Sequence, residues 1–327
     1  MNLKLKRRRF GLLSLASAIT TLLLNHAAKT VAQQQPGSVI YGVRLTSASS
    51  QIMEDQADAS AANKTPAMIL QSIDLATGQE LTTTEIPEQI VQNQQEPTQI
   101  VNKALVVKKR SERITGFTAL SDGTFIVAAV ATTKKGDFTR LAFFGQDITK
   151  PKKNLKIKKI KKNNTVESLL AIQNDQIISI ISQNQGLSPF ELAVINPQSG
   201  QVNGNTLGLP DLPLSQRFSN LAQSPDGKIY ATTFGHENIP ILVQLDLVNK
   251  SPITGKGKII RLVQLSFNNG SLSNDLVSLA FSPSNQLFAL ADPQYEGTNS
   301  LFTIDLNTGK MQLLRKMAVD QIAFSKV

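Results

Sequence analysis

The stretch Leu279–Met311, LAFSPSNQLFALADPQYEGTNSLFTIDLNTGKM, decides the fold. Val277 to Phe281 and Gln286 to Ala291 read as two short strands flanking a Ser-Pro-Ser-Asn turn. A polar loop follows, then a third strand from Ser300 to Asp305. Asn307-Thr308-Gly309-Lys310 is turn chemistry leading to a fourth strand near Met311 to Leu314. One such β-meander cannot bury its apolar face alone, so several stacked copies are expected.

The rest of the chain supplies them. Met68 to Gly78, MILQSIDLATG, repeats LFTIDLNTG of residues 301 to 309, and Ser38 to Leu45 is the strand before it. A second unit runs from Arg113 to Ile160, a third from Val166 to Leu209 and a fourth from Arg217 to Phe267. Their outer strands are expected at LKIKKI, QVNGNTLGL and KIIRLVQLSF. Asp122, Asp175, Asp226 and Ser284 hold equivalent places, 53, 51 and 58 residues apart. Periods near 50 point to propeller blades. The unit at Ser38 lacks a first strand, and Asp320 to Val327, DQIAFSKV, matches the opening strand VSLAFSPS. A ring closed by pairing the terminal strands follows, which removes the last sheet edge.

The expected fold is therefore all-β: a single β-propeller of five four-stranded blades over residues 38–327, with velcro closure. An insertion at 86–111 could hide strands that would raise the count to six or seven, and its stretch 86–100 is the one place for a short helix. A β-sandwich or solenoid is disfavoured by the matching termini. Ser224-Pro225-Asp226-Gly227, Ile73-Asp74-Leu75-Ala76-Thr77-Gly78 and Ile304-Asp305-Leu306-Asn307-Thr308-Gly309 resemble the turns of bacterial propellers of the YVTN, NHL and WD-repeat-like kind. The resemblance implies a fold and says little of function.

The N-terminus follows other rules. Lys4, Lys6, Arg7, Arg8 and Arg9 precede an apolar run, Gly11 to Leu24, and Thr30-Val31-Ala32 offers a small-residue cleavage site. Residues 1–32 read as a signal peptide, with an uncleaved anchor as the alternative, and 33–37 as a disordered tether. Arg7-Arg8-Arg9-Phe10-Gly11-Leu12 also resembles a twin-arginine signal. The expected location is outside the cytoplasm, periplasmic or extracellular. With no cysteine, disulfides, thiol catalysis and thiolate metal sites are excluded.

Residues 1–32 hold six cations and no acid, so the net charge of +10 falls to +4 without them. Residues 103 to 162 hold 16 Lys and Arg against four acids, which leaves the remainder acidic. Lys150, Lys152 and Lys153 are expected in the turn after the third strand of the second blade. Lys156, Lys158, Lys159, Lys161 and Lys162 would decorate and follow its outer strand. Lys on an edge blocks sheet-to-sheet aggregation; it also attracts anionic lipid, wall polymer or an acidic protein. Nucleic acid is not an expected partner, and a monomer is expected.

In a meander the turns after strands one and three share one face, and here they are nearly uniform. The loops on the other face vary, as binding loops do. That face carries His236-Glu237-Asn238 and Asp292, Tyr295 and Glu296. His236 invites a base role, but no partner clusters with it. Arg113, Glu167, Arg217, Asp275 and Asp320 each precede a first strand. They would ring the channel mouth and could hold a polar ligand or calcium, or simply mark loop ends. No nucleophile elbow, phosphate loop or dinucleotide fingerprint is present. The expected function is an exported, non-enzymatic binding or scaffold module contacting an envelope protein or polymer through the variable loops, with no required cofactor. The alternative is a metal-dependent hydrolase, lactonase-like or sugar-processing.

Overall fold

The computed structural model describes residues 39–45, 68–86, 111–133, 136–145, 151–158, 160–161, 164–183, 187–213, 215–235, 237 and 239–326. The expected signal segment, the tether and the interior of the 86–111 insertion lie outside them.

The reference stretch folds as its turns dictate. β-Strands are numbered in chain order from β1. Blade 1 holds β1 (Val39–Leu45), β2 (Met68–Asp74) and β3 (Glu80–Ile86). Blade 2 holds β4 (Ser111–Ala119), β5 (Phe125–Thr133), β6 (Gly136–Phe144) and β7 (Pro151–Lys156). Blade 3 holds β8 (Thr165–Ala171), β9 (Ile177–Gln183), β10 (Leu187–Ile195) and β11 (Val202–Leu207). Blade 4 holds β12 (Arg217–Gln223), β13 (Ile229–Phe234), β14 (Ile241–Asp246) and β15 (Lys258–Gln264). A small hairpin, β16 (Ser266–Phe267) and β17 (Gly270–Ser271), precedes blade 5, which holds β18 (Ser278–Phe281), β19 (Leu287–Ala291), β20 (Ser300–Ile304) and β21 (Met311–Lys316). The last strand, β22 (Gln321–Phe324), pairs antiparallel with β1 and completes blade 1 in the order β22-β1-β2-β3. Five four-stranded antiparallel blades thus form the propeller, closed as expected, and the outer strand β3 adds a fourth strand that the repeat comparison had not located.

Turn chemistry explains why each unit reverses where it does. Asp305 Oδ1 accepts from the N–H groups of Asn307 and Thr308, both at 2.8 Å. Asp74 does the same for Thr77 N–H at 2.8 Å, and Asn196 for Gln198 and Ser199, both at 2.9 Å. These side chains mimic a backbone turn and hold it closed. Gly309 follows with φ +72°, and a Cβ there would lie 2.1 Å from the Gln264 carbonyl oxygen of the preceding blade. Gly200 repeats the device, 2.7 Å from Lys156 O. The glycine therefore serves the joint between blades as well as the turn.

The core is divided into five layers, one between each pair of neighbouring blades. Alternation on the inner strands feeds the two sides: Leu279 and Phe281 face blade 4, while Ala280 joins Ile322 and Phe324 against blade 1. The other layers centre on Phe117 and Phe125, on Ile126 and Ile177, and on Phe218 and Ile178. Each such side chain contributes about 1.5–3 kcal/mol on burial. Blades therefore stabilise one another and not themselves.

A ring of inner strands leaves five unpaired edges facing the channel, whose backbone groups need partners. Side chains of the neighbouring blade supply several. Thr118 Oγ1 accepts Ala171 N–H at 3.0 Å, Ser278 Oγ accepts Ile322 N–H at 3.1 Å, and Asn220 Nδ2 donates to Leu276 O at 2.9 Å.

Two outer strands differ from expectation. The fourth blade's strand stops at Gln264 instead of running to Phe267, because Leu265 turns in, fully buried, with its N–H on Pro240 O at 3.1 Å. Phe267 then sits edge-on to Phe302, with ring centroids 5.2 Å apart. The second blade's outer strand is Pro151–Lys156 and not LKIKKI. Ile157 is buried and bonds back to Thr139 O, and Lys158 leaves to bridge blade 3, its N–H on Gly200 O at 2.8 Å. No helix among the described residues is long and apolar enough to cross a membrane.

Candidate functional site

At the variable-loop end, the five charges mostly find protein partners. Arg113, Glu167 and Arg217 lie inside β4, β8 and β12, not ahead of them as expected, because bulges let those ladders continue. Glu167 is itself the bulged residue. Arg113 Nη2 contacts both of its carboxylate oxygens, at 3.0 and 2.9 Å, and Thr165 and Ser182 donate to it as well. Arg217 reaches Asp275 at 2.7 Å, and Ser219 donates to the same carboxylate at 3.0 Å. Asp320 accepts Leu45 N–H at 3.0 Å. The ring of charge is thus two ion pairs between blades and one carboxylate capping a strand.

Burial pushes the pKa of Asp275 up, against the opposing pull of Arg217, Ser219 and Leu276 N–H. Asp320 is raised by burial too, with Leu45 N–H and Arg44 opposing. Both carboxylates pay for desolvation that their partners only partly offset.

The Asp292–Asn299 loop is likewise tied to itself. Asp292 accepts from Glu296 N–H at 2.9 Å and Gly297 N–H at 2.7 Å, and Glu296 pairs with Lys316 at 2.7 Å. Tyr295 has φ +56° and is 68% exposed, with its hydroxyl donating to Ser273 O at 3.0 Å. It offers a ring face to solvent. Glu237 sits in a turn with φ +53°. His236 and Asn238 lie outside the described residues. Among the described residues no three His, Asp or Glu side chains gather as a metal site.

The basic segment is rearranged by the shorter outer strand. Lys152 and Lys153 belong to β7, not to the turn before it, and Lys156 ends it. All three are exposed, as are Lys158 and Lys161. Lys156 lies over the Phe138 ring at 5.3 Å, with Arg140 over the same ring at 5.0 Å, and Lys153 over Phe143 at 5.8 Å. Aromatic faces steady these cations without neutralising them. Lys158 belongs to the joint with blade 3. Lys150, Lys159 and Lys162 lie outside the described residues.

The concavity that the sequence did not predict opens at the opposite end. The channel widens among the turns after the inner strands into a funnel of about 410 Å³. Its walls include Leu170, Leu221, Leu279 and Ile322, and its rim Ser121, Asp175 and Lys326. Lys326 stands where blades 4 and 5 carry Pro225 and Pro283 after the same serine. That substitution was the available signal, hidden in turns that read as pure scaffold. Lys326 Nζ donates to Ala171 O at 2.6 Å. Its side chain is exposed, yet crowding by the turns lowers its pKa while Asp175 pulls it back up. Both Asp175 oxygens are engaged by Ser121, at 2.7 and 2.6 Å.

No protein-family model matches the chain, and no curated protein does. Solved structures similar to it include AofleA from Arthrobotrys oligospora, 12% identical with a TM-score of 0.41, covering 79% of this chain and 69% of that one. A protein from Lactobacillus plantarum is 10% identical with a TM-score of 0.37, covering 87% and 98%. An oligogalacturonate lyase in complex with manganese is 11% identical with a TM-score of 0.38, covering 76% and 62%. At these values nothing that those proteins bind or cleave carries over.

Proposed function

We propose that this chain is an exported, non-catalytic binding module that holds an anionic envelope polymer along the basic outer edge of blade 2. The observation that carries this reading is the contrast between two sets of charges. Arg113, Glu167, Arg217 and Asp275 are consumed in ion pairs between blades, and Asp320 in capping a strand of blade 1. Lys152, Lys153 and Lys156 are exposed along β7 and Lys158 is exposed just beyond its end, and among the described residues Lys153 alone of the four donates its ammonium to a protein group, the Gln198 carbonyl. A row of like charge on a rigid strand attracts a polyanion through field more than through fit.

Hydrolysis by a metal-dependent site would need carboxylates free to hold the ion, and Glu167, Asp275 and Asp292 are each committed to protein donors. The apolar N-terminal run supplies the export route. Contact through the Asp292–Asn299 loop rests on Tyr295 alone.

The test is co-sedimentation of the full chain with purified wall polymer and, separately, with phosphatidylglycerol vesicles. Polymer retention that is lost in the quadruple variant K152E/K153E/K156E/K158E supports the reading. Equal retention of variant and parent removes this edge as the contact, and retention on vesicles alone replaces the polymer with a membrane surface.

A further inference from the structure

The turn-side funnel lies on a different face and a different chemistry from the blade 2 edge, and nothing proposed for that edge uses it. Its lining includes the aliphatic Leu170, Leu221, Leu279 and Ile322, and Phe117 adds a further apolar group. The Thr118 hydroxyl oxygen accepts Ala171 N–H and keeps its own O–H to donate, so the wall is apolar with a few polar groups. Its volume of about 410 Å³ falls in the ~300–1,000 Å³ range of small-molecule pockets, which are mostly apolar with a few placed polar groups.

The rim decides the charge of the occupant. Asp175 has both oxygens on Ser121 and offsets part, not all, of the Lys326 charge at the rim. Lys326 spends one N–H on Ala171 O and has two to give. One ammonium suits a monoanion; a phosphate dianion or planar bidentate clamp would call for more donors or an arginine. We propose that the funnel binds a small monocarboxylate with an apolar body, the body against Leu170, Leu221, Leu279 and Ile322 and the carboxylate on Lys326. The cation at the rim and the apolar depth below it set the orientation of the ligand.

Isothermal titration of the full chain with octanoate and, in parallel, with the uncharged 1-octanol tests this. Octanoate binds, and 1-octanol binds about tenfold more weakly, a difference of one charge-assisted contact. Lys326→Met lowers octanoate affinity to that of 1-octanol, and Leu221→Trp, which fills the funnel, weakens both. Lys326→Gln serves in place of Lys326→Met if the latter unfolds. Absence of octanoate binding overturns the proposal, as does octanoate affinity unchanged by loss of the Lys326 charge or by Leu221→Trp.

Discussion

Arg217 Nη2 donates to Asp275 Oδ2 at 2.7 Å, joining the first residue of β12 to the segment just before β18 in the next blade. The pair is asymmetric: the carboxylate side chain is 13% exposed and the arginine 47%. Removing the arginine strands a desolvated charge, whereas removing the acid frees an arginine that can turn to water.

Arg217→Met should therefore destabilise the fold by about 1–3 kcal/mol at neutral pH, below the ~3–5 of a fully buried pair because the guanidinium keeps much of its hydration. Asp275→Asn should cost less. The pH dependence follows from the raised pKa of Asp275. A carboxylate with its folded pKa above its unfolded value takes up its proton first in the native state, so acidification favours folding as far as this group is concerned. The deficit of Arg217→Met should shrink as the pH falls from about 7 to about 4.5, read by urea denaturation at each pH. A deficit that stays constant or grows would show that Asp275 carries no such strain.

Gly309 is the second test of the joints between blades. Its φ of +72° disfavours any other side chain, and a Cβ would meet Gln264 O at 2.1 Å. Gly309→Ala should cost at least about 2 kcal/mol, since left-handed strain and a backbone clash add. Gly255 provides the control: φ is +65° but nothing lies within 4 Å of the added Cβ. Gly255→Ala should cost only the strain, about 1 kcal/mol. Equal losses in the two variants would mean that the blade contact at Gly309 relaxes freely.

These joints show how far local sequence can be read. Ser282-Pro283-Ser284-Asn285 and Asp305 to Gly309 disclose their turns because the side chains that close each turn lie within it. The closing strand was legible for the same reason, as an orphaned copy of a known pattern. The end of β7 was not, since Lys158 leaves the edge only because Gly200 and Val202, more than 40 residues on, bond to it. The pairing of Arg113 with Glu167 was equally hidden: the sequence shows one charge near the start of each of two repeats, and only the ring makes them neighbours. The funnel escaped because Leu170, Leu221, Leu279 and Ile322 are the residue types of any core strand.

Acid should act on the outer turns. Hydrogen bonds from Thr77, Asn249 and Thr308 N–H and side-chain groups hold Asp74, Asp246 and Asp305 below the ordinary value of 3.8. A depressed folded pKa gives stability that is present above the unfolded value and lost as the pH falls through the folded one. The triple variant D74N/D246N/D305N keeps three turn acceptors but cannot titrate. Its melting temperature should fall less than the parent's between about pH 4 and about pH 2. Parallel curves would mean that these turns bear no pH-linked stability.

Closure is the remaining test, and it separates two versions of the ring. β22 supplies Ile322 and Phe324 to the layer against blade 5 and Ala323 to the layer against blade 2, so it serves both sides of blade 1. Ser278→Ala, which removes only the acceptor of Ile322 N–H, should cost about 1–2 kcal/mol and leave unfolding cooperative. Deleting residues 321–327 strips a strand from two layers and exposes the edge of β1. Unfolding of that variant should broaden into more than one transition, with blade 1 opening first under hydrogen exchange. A deletion variant that still melts in one sharp step at the parent temperature would mean that four strands from elsewhere already hold the ring, and that β22 only covers an edge.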